Sequence, residues 1–115
     1  MGLTKIKTEV GRRNPQEVDF LVDSGASYTV LPEKVWKSLG LKPFEKMEFV
    51  LADGSTIARG ISEVWLKYRG RGRTVQVVLG EGKDKALLGV LTLEALGLVL
   101  NPFTRELAPM KLMMV

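Results

Sequence analysis

The stretch Phe20-Leu21-Val22-Asp23-Ser24-Gly25-Ala26-Ser27 decides how this chain is interpreted. Three apolar residues lead directly into an acidic side chain, and the small residues that follow allow the backbone to turn sharply. Because apolar surroundings disfavour an ionised carboxylate, Asp23 is either a costly feature or a functional one. A solvated turn at the end of a strand is the plainer interpretation of these letters taken alone.

Alternating, largely apolar side chains lie on both sides of this stretch and predict β-strands. The alternating groups are Ile6, Thr8 and Val10, then Val18, Phe20 and Val22, and later Val75, Val77 and Leu79. Turn signals separate the strands at residues 11–15, 53–54, 69–73, 80–85 and 101–102. The Asp53-Gly54 pair predicts a hairpin with a type I′ turn, in which both central residues have positive φ.

Two segments depart from this alternation and predict short helices. The first covers about residues 32–39, with Pro32 in its first turn and Gly40 placed to end it in the left-handed conformation. In the second, Thr92 or a neighbour caps the helix and Gly97 marks its end. The sequence therefore predicts a small, mostly antiparallel β domain with two short helices.

Length and composition limit the possible chemistry. The chain has 115 residues, which predicts a single domain over residues 1–115. It has no cysteine and no histidine, which excludes disulfides, thiol nucleophiles, Ser-His-Asp triads and imidazole ligation of haem or zinc. The acidic residues are scattered without the spacing of a cation-binding loop, so we expect no metal and no cofactor.

Charge and hydropathy limit the partners and the cellular location that we expect for the protein. The net charge of +4 is a mild bias toward polyanions. No apolar run reaches the ~18 residues that a membrane span needs, and the first ten residues lack the apolar stretch of a signal peptide. We therefore expect a soluble, cytoplasmic protein without a membrane partner.

Three motifs in the same order resemble the retroviral-like aspartic proteases, the single-domain relatives of pepsin. Residues 21–27 resemble the catalytic loop of that family, in which two apolar residues precede Asp-Ser/Thr-Gly. The Asp53-Gly54 hairpin lies where the family has its flap. Ala86-Leu87-Leu88-Gly89, followed by a short helix, resembles the family's apolar-apolar-Gly turn.

One departure from the retroviral pattern narrows this resemblance. Retroviral enzymes usually have an arginine after the late glycine and an acidic residue soon after the catalytic loop, and the two form an internal ion pair. Val90 and Ser27 occupy those places here, so both partners are absent together. The sequence therefore resembles the cellular, retroviral-like group more than it resembles the retroviral enzymes.

The resemblance implies a retropepsin-type fold, a closed, β-barrel-like half of a pepsin, that forms a homodimer and cleaves a polypeptide substrate. Asp23 would be the catalytic acid, and Ser24, Gly25 and Ala26 would support its loop. Asp53, Gly54 and Ser55 would form the flap. The residues expected at the substrate pockets are Leu31, Ile57, Leu87 and Gly89, of which Gly89 would also let its strand pass beneath the catalytic loop.

The expected mechanism requires two carboxylates that share one proton. The chain has one Asp-Ser-Gly, so the second Asp23 would come from an identical chain across a two-fold axis. The apolar tail at residues 108–115 is a candidate part of that interface.

Two alternatives stay open at this stage. A non-catalytic, dimeric peptide-binding module could use the same fold. A basic β-barrel could instead bind nucleic acid through Lys67, Arg69, Arg71 and Arg73, although their alternation with glycine is more typical of a solvated turn, which makes nucleic acid an unlikely partner.

Overall fold

Nine strands and two short helices make up the described part of the chain. The computed structural model describes residues 4–110, so residues 111–115 of the predicted interface tail lie outside the described residues. The strands are β1 (Lys5–Val10), β2 (Gln16–Val22), β3 (Thr29–Leu31), β4 (Glu45–Val50), β5 (Thr56–Tyr68), β6 (Arg71–Leu79), β7 (Leu87–Leu88), β8 (Leu98–Leu100) and β9 (Leu107–Pro109). The helices are α1 (Glu33–Ser38) and α2 (Val90–Ala95). The mostly β architecture agrees with the sequence.

Seven of the strands form one sheet in the order β1-β2-β7-β3-β6-β5-β4. β1 also pairs with β5, through Glu9 opposite Lys67 and Val10 opposite Leu66. Six strands therefore follow one another in a closed circuit of pairings, and β4 lies outside it. β8 and β9 form a separate two-stranded sheet.

The short strand β7 determines where the polar loops meet. It pairs in parallel with β2, with Leu21 opposite Leu87 and Val22 opposite Leu88, and antiparallel with β3. Because the carboxyl ends of parallel strands lie at the same edge, Asp23 after β2 and Gly89 after β7 emerge side by side.

The core explains the alternation seen in the sequence. One face of β1 and of β2 is buried, and Phe20, Leu66 and Leu88 have no exposed surface. Each such side chain contributes roughly 1.5–3 kcal/mol on burial. Leu31 belongs to this core as well and is completely buried, so the prediction that it lines a substrate pocket is wrong.

Both helices lie where they were predicted, but one cap differs. α1 is followed by Gly40 at φ 71°, in the left-handed region as expected. α2 begins at Val90 with Gly89 as its N-cap. Thr92 is therefore not the cap; it lies inside the helix and is buried.

The type I′ turn is found in a different hairpin from the one predicted. In the β4–β5 hairpin only Gly54 has positive φ, 87°, and its N–H donates to the Leu51 carbonyl at 2.9 Å. The central pair of that turn is Ala52-Asp53. The Leu51 N–H donates to the Ser55 carbonyl at 2.8 Å, so three residues, the last of them a left-handed glycine, lie between this bonded pair. Positive φ at two adjacent positions occurs instead at Arg69 and Gly70, between β5 and β6.

Candidate active site

The loop at residues 23–28, named here the Asp23 loop, follows directly from β2. The Asp23 N–H donates to the Leu88 carbonyl at 3.0 Å, which continues the β2–β7 pairing by one residue. The Gly25 N–H then donates to Asp23 Oδ1 at 2.9 Å, and the Ala26 N–H donates to the Asp23 carbonyl at 3.1 Å. The carboxylate is thus held over its own turn by a backbone donor.

Helix α2 anchors the far side of the Asp23 loop. The first N–H groups of a helix have no acceptor within it. Here the Val90 N–H donates to the Ala26 carbonyl at 2.7 Å and the Leu91 N–H to the Ser27 carbonyl at 3.1 Å. The loop therefore satisfies the start of the helix, and the helix fixes the loop.

A buried pair of threonines lies beneath the loop. Thr29 Oγ1 and Thr92 Oγ1 are 2.5 Å apart, and Thr29 Oγ1 also accepts the Gly89 N–H at 3.0 Å. Both threonines are completely or almost completely buried. This polar pair joins β3, the β7–α2 junction and α2, and the sequence analysis did not identify it.

Gly89 passes closely under the backbone of the Asp23 loop. A Cβ atom at this position would lie 2.5 Å from the Tyr28 carbonyl oxygen and 2.7 Å from the Ser27 carbonyl carbon. No side chain fits there, which supports the structural part of the prediction for Gly89. Gly89 is buried and does not line the cleft described next.

A cleft of about 600 Å³ opens beside the Asp23 loop. Its apolar lining includes the two predicted residues Ile57 and Leu87 together with Ala26, Val30, Val50 and Val78. Val30 lines the cleft in place of its neighbour Leu31. The size and the apolar lining suit the side chains of an extended peptide.

The β4–β5 hairpin, named here the flap hairpin (residues 45–59), forms one wall of the cleft. At its exposed tip, the Ser55 N–H and hydroxyl donate to Asp53 Oδ1 at 2.9 and 2.5 Å. The bond from the Ser55 hydroxyl, more than that from its N–H, lowers the pKa of Asp53. The tip therefore consists of exposed residues, Asp53, Gly54 and Ser55, and the Asp53 carboxylate is held there by its neighbour Ser55.

Two contacts join the flap hairpin to the rest of the cleft, and sequence analysis identified neither. Phe49 packs edge-on against Tyr28, with ring centroids 5.6 Å apart. Arg59 Nε donates to Asp84 Oδ2 at 2.7 Å. That bond is the largest cause of the lowered pKa of Asp84 and of the raised pKa of Arg59.

The first residues of the Asp23 loop are exposed to solvent. The side chain of Asp23 is exposed, as are Ser24 and Gly25, and Ala26 is half-buried at the edge of the cleft. An exposed carboxylate next to an apolar cleft is placed to meet a ligand or a second molecule.

The basic hairpin considered for nucleic acid is partly engaged with the protein's own backbone. Arg71 Nη1 donates to the Leu96 carbonyl at the end of α2, at 3.1 Å, and Arg73 Nη1 donates to the Gly72 carbonyl at 2.7 Å. A cation at a helix C-terminus has a structural role.

Two features, a metal-binding cluster and a membrane-spanning helix, are absent from residues 4–110. No group of three acidic side chains there is arranged to hold a metal ion. Neither helix has the length and apolar character of a membrane span.

Comparison with known proteins identifies the family. The profile of the aspartyl protease family matches residues 7–92, most of the chain, and the match includes both the Asp23 loop and Gly89. The chain therefore belongs to the aspartyl protease family. No curated protein matches the chain at a significant level.

Solved structures show the same fold. The EIAV protease complexed with the inhibitor HBY-793 is 19% identical, with a TM-score of 0.65 over 84% of this chain and 89% of that one. The Simian Foamy Virus (mac) protease is 20% identical, with a TM-score of 0.60 over 79% and 92%. A retropepsin-like aspartic protease from Rickettsia conorii is 21% identical, with a TM-score of 0.59 over 81% and 70%. The chain has the retropepsin fold.

Proposed function

We propose that this aspartic protease is a homodimeric endopeptidase whose single active site contains Asp23 from each of two chains. The observation that carries the proposal is the Asp23 loop: an exposed carboxylate, held by the Gly25 N–H, stands beside an apolar cleft. The chain contains one Asp-Ser-Gly, so a second copy supplies the second acid.

The chemistry follows from the electrostatics of two adjacent carboxyl groups. Two unit charges ~4 Å apart repel by about 4 kcal/mol at an effective dielectric of 20, so one group keeps a proton at moderate pH. The ionised group takes a proton from a water molecule, whose oxygen attacks the carbonyl carbon of the peptide. The protonated group gives its proton to the carbonyl oxygen. As the C–N bond of the resulting tetrahedral diol breaks, the carboxyl group that took the proton from water gives it to the leaving amine, and a diol hydroxyl returns a proton to the other carboxylate. No covalent enzyme intermediate forms.

The remaining site residues support this reaction in distinct ways. Ser24 is exposed and near the proposed axis, where its hydroxyl would hydrogen-bond across the interface and hold the two loops in register. The backbone of Gly25 would contact the substrate, and its N–H stabilises charge on Asp23. The flap hairpin would pair with the extended peptide and exclude water, and the apolar cleft lined by Ile57 and Leu87 would bind side chains beside the cleaved bond.

The C-terminal part of the chain is the proposed interface. β8 and β9 form a two-stranded sheet of their own, which packs on the core through Leu98, Leu100 and Leu107. Two apolar side chains are exposed there, Val99 with 46% of its surface and Phe103 with 92%. Pairing with a second copy would bury them, together with the apolar tail at 108–115.

A subunit-mixing experiment tests the shared site. Wild-type protein and Asp23→Asn subunits are mixed in a series of ratios at constant total subunit concentration, re-equilibrated, and assayed on a diverse peptide library between pH 3 and 8. If both carboxylates are required, activity follows the square of the wild-type fraction, about a quarter at equal amounts. Linear dependence, or a monomer at high concentration in analytical ultracentrifugation, would refute the shared site. An Asp53→Asn subunit is the matched control and should leave the mixture at full activity.

A further inference from the structure

The flap hairpin is attached to the body of the protein at one end of the β5–β6 ladder. That ladder runs from Tyr68 opposite Arg71 to Gly60 opposite Leu79. Beyond Gly60, β5 pairs only with β4. β6 meanwhile ends, and the Gly80 N–H donates to the Leu31 carbonyl of β3, so the chain turns away from β5. The main-chain connection to the flap hairpin therefore stops at Gly60.

The segment that leaves β6 forms a second wall of the cleft, in contact with the flap hairpin. This wall loop, residues 80–86, contributes Asp84 and Lys85 to the cleft lining. It is fixed to α1, because the Trp36 indole N–H donates to the Gly80 carbonyl at 2.7 Å and the Gly82 N–H donates to Glu33 Oε1 at 2.9 Å. The wall loop is thus a firm support to which the flap hairpin can be fastened.

Arg59 continues the attachment one residue past the end of the ladder. It lies on the same face of β5 as Ile57, two residues from it, and both line the cleft. Its Nε donates to Asp84 Oδ2 at 2.7 Å, and its Nη1 lies 3.7 Å from Glu81 Oε1. Asp84 Oδ2 also accepts the Glu81 N–H at 2.9 Å, so the carboxylate is oriented by its own loop before it meets the guanidinium.

The Arg59–Asp84 ion pair is sufficiently buried to contribute to the stability of this contact. The side chains of Arg59 and Asp84 are 16% and 31% exposed, whereas those of Lys7 and Glu17, an ion pair on β1 and β2, are 73% and 68% exposed. Exposed pairs contribute little, and a partly buried, charge-assisted hydrogen bond contributes more.

We propose that Arg59 is a positioning residue that latches the flap hairpin to the wall loop through Asp84. The latch holds Ile57 on the flap hairpin and Leu87 beyond the wall loop at a fixed separation across the cleft, and so sets the affinity for the peptide. Its effect on substrate rests on the proposed function; its effect on the position of the flap hairpin does not.

The position of the flap hairpin can be measured without any activity. The chain has no cysteine, so Ala52→Cys at the exposed tip and Lys83→Cys on the exposed wall loop provide a unique pair for spin labels. Labelled subunits are diluted with unlabelled ones, and the distance distribution is recorded by pulsed electron resonance. We expect a narrow distribution in the otherwise wild-type protein and a broader, longer one in Arg59→Met and in Asp84→Asn. An unchanged distribution in both would overturn the latch.

Kinetics then test the consequence for substrate. In Arg59→Met we expect KM to rise roughly three- to tenfold with kcat little changed, because the lost interaction positions the cleft and does not touch the reacting atoms. The double variant Arg59→Asp with Asp84→Arg exchanges the two charges, so KM should fall part of the way back to the wild-type value and the distance distribution should narrow. A variant that only lost stability would show neither recovery. Lys7→Met, which removes one charge from the exposed pair, is the control and should change neither.

The two hypotheses fail in different ways. If the wild-type protein cleaves no peptide but the labels separate in Arg59→Met, the proposed protease activity is wrong and the latch stands. If cleavage is normal and the label distances are unchanged in Arg59→Met and in Asp84→Asn, the latch is wrong and the protease stands. If the labels separate but KM is unchanged in Arg59→Met, the latch does not set the affinity for the peptide.

Discussion

Two stretches of this chain share a faint likeness in sequence and have opposite surroundings. FLVDSGAS, at residues 20–27, contains Asp23, and FVLADGST, at residues 49–56, contains Asp53. In both, an N–H two residues along donates to Oδ1 of the aspartate at 2.9 Å, from Gly25 in one and from Ser55 in the other. The local turn chemistry is therefore shared.

The surroundings separate the two stretches. The carbonyls of the Asp23 loop accept N–H groups from α2, and Gly89 lies directly beneath it. The tip at Asp53 is exposed on all sides, and a Cβ added to Gly54 would meet nothing within 4 Å. The fold packs the backbone of the Asp23 loop and leaves its carboxylate exposed, as the proposed catalytic role requires, whereas the turn at the hairpin tip has no such packing beneath it.

The aspartates should show the largest contrast. Asp23→Asn removes the acid–base group and should lower kcat/KM by at least about 10²–10⁴-fold, with the fold retained. Asp53→Asn keeps an oxygen that accepts from Ser55, so activity should change little. The measurement is cleavage of the best library peptide, with circular dichroism as the check on folding. Equal losses in the two variants would contradict the assignment of Asp23.

The glycines should differ next. Gly89→Ala forces a methyl group against the Tyr28 carbonyl and should destabilise the protein by about 3 kcal/mol, with a fall in Tm of roughly 10 °C or more. Gly54→Ala has open space but an unfavourable φ of 87°, which costs about 1–2 kcal/mol. Thermal unfolding at one protein concentration compares them. A larger loss in Gly54→Ala would mean that the Asp23 loop is not tightly packed.

Two threonines, one beneath the Asp23 loop and one on the flap hairpin, should differ in the same direction with a smaller change in the free energy of unfolding. Thr29→Val deprives the buried Gly89 N–H of its acceptor, which costs about 1–3 kcal/mol. Thr56→Val on the exposed flap hairpin should stay within about 0.5 kcal/mol of wild type. Urea unfolding measures both. Equal and small effects would show that the threonine pair does not support the loop.

The smallest expected effect concerns the protonation of Asp53 at the tip of the flap hairpin. Because Ser55 lowers the pKa of Asp53, the turn is fully stabilised above the ordinary aspartate value of about 4 and loses that stabilisation as the pH falls through the lower, folded value. The Ser55 amide resonance should therefore titrate with a midpoint below about 4. In Ser55→Ala, which removes the hydroxyl, the midpoint should move up toward the ordinary value. A midpoint at or above about 4 in the wild type would contradict the bond.

Local patterns predicted what local physics determines. Alternation located β1, β2 and β6, and the conformations of Gly40 and Gly97 followed from their positions after helices. The three letters Thr29-Val30-Leu31 carry no alternation, so their sequence did not show that Val30 faces the cleft and Leu31 the core.

Long-range pairs were beyond sequence reasoning. Thr29 and Thr92 are 63 residues apart, and Arg59 and Asp84 are 25 apart, so only the fold brings them together. The misplaced type I′ turn has a local cause: Arg69 adopts a positive φ of 46°, which is unusual for a residue with a side chain, and Asp-Gly is ordinarily the stronger signal.

The closed circuit of strand pairings has a consequence for solubility. Within the described residues, it leaves β4 as the strand of the large sheet with a free edge along its length. Free edges recruit strands from other molecules, and charged side chains are the usual protection. β4 has exposed charges at Glu45, Lys46 and Glu48, although Glu48 alternates with the half-buried Met47 and Phe49. The hairpin that is proposed to bind an extended peptide thus carries charges that protect it against pairing with strands of other molecules.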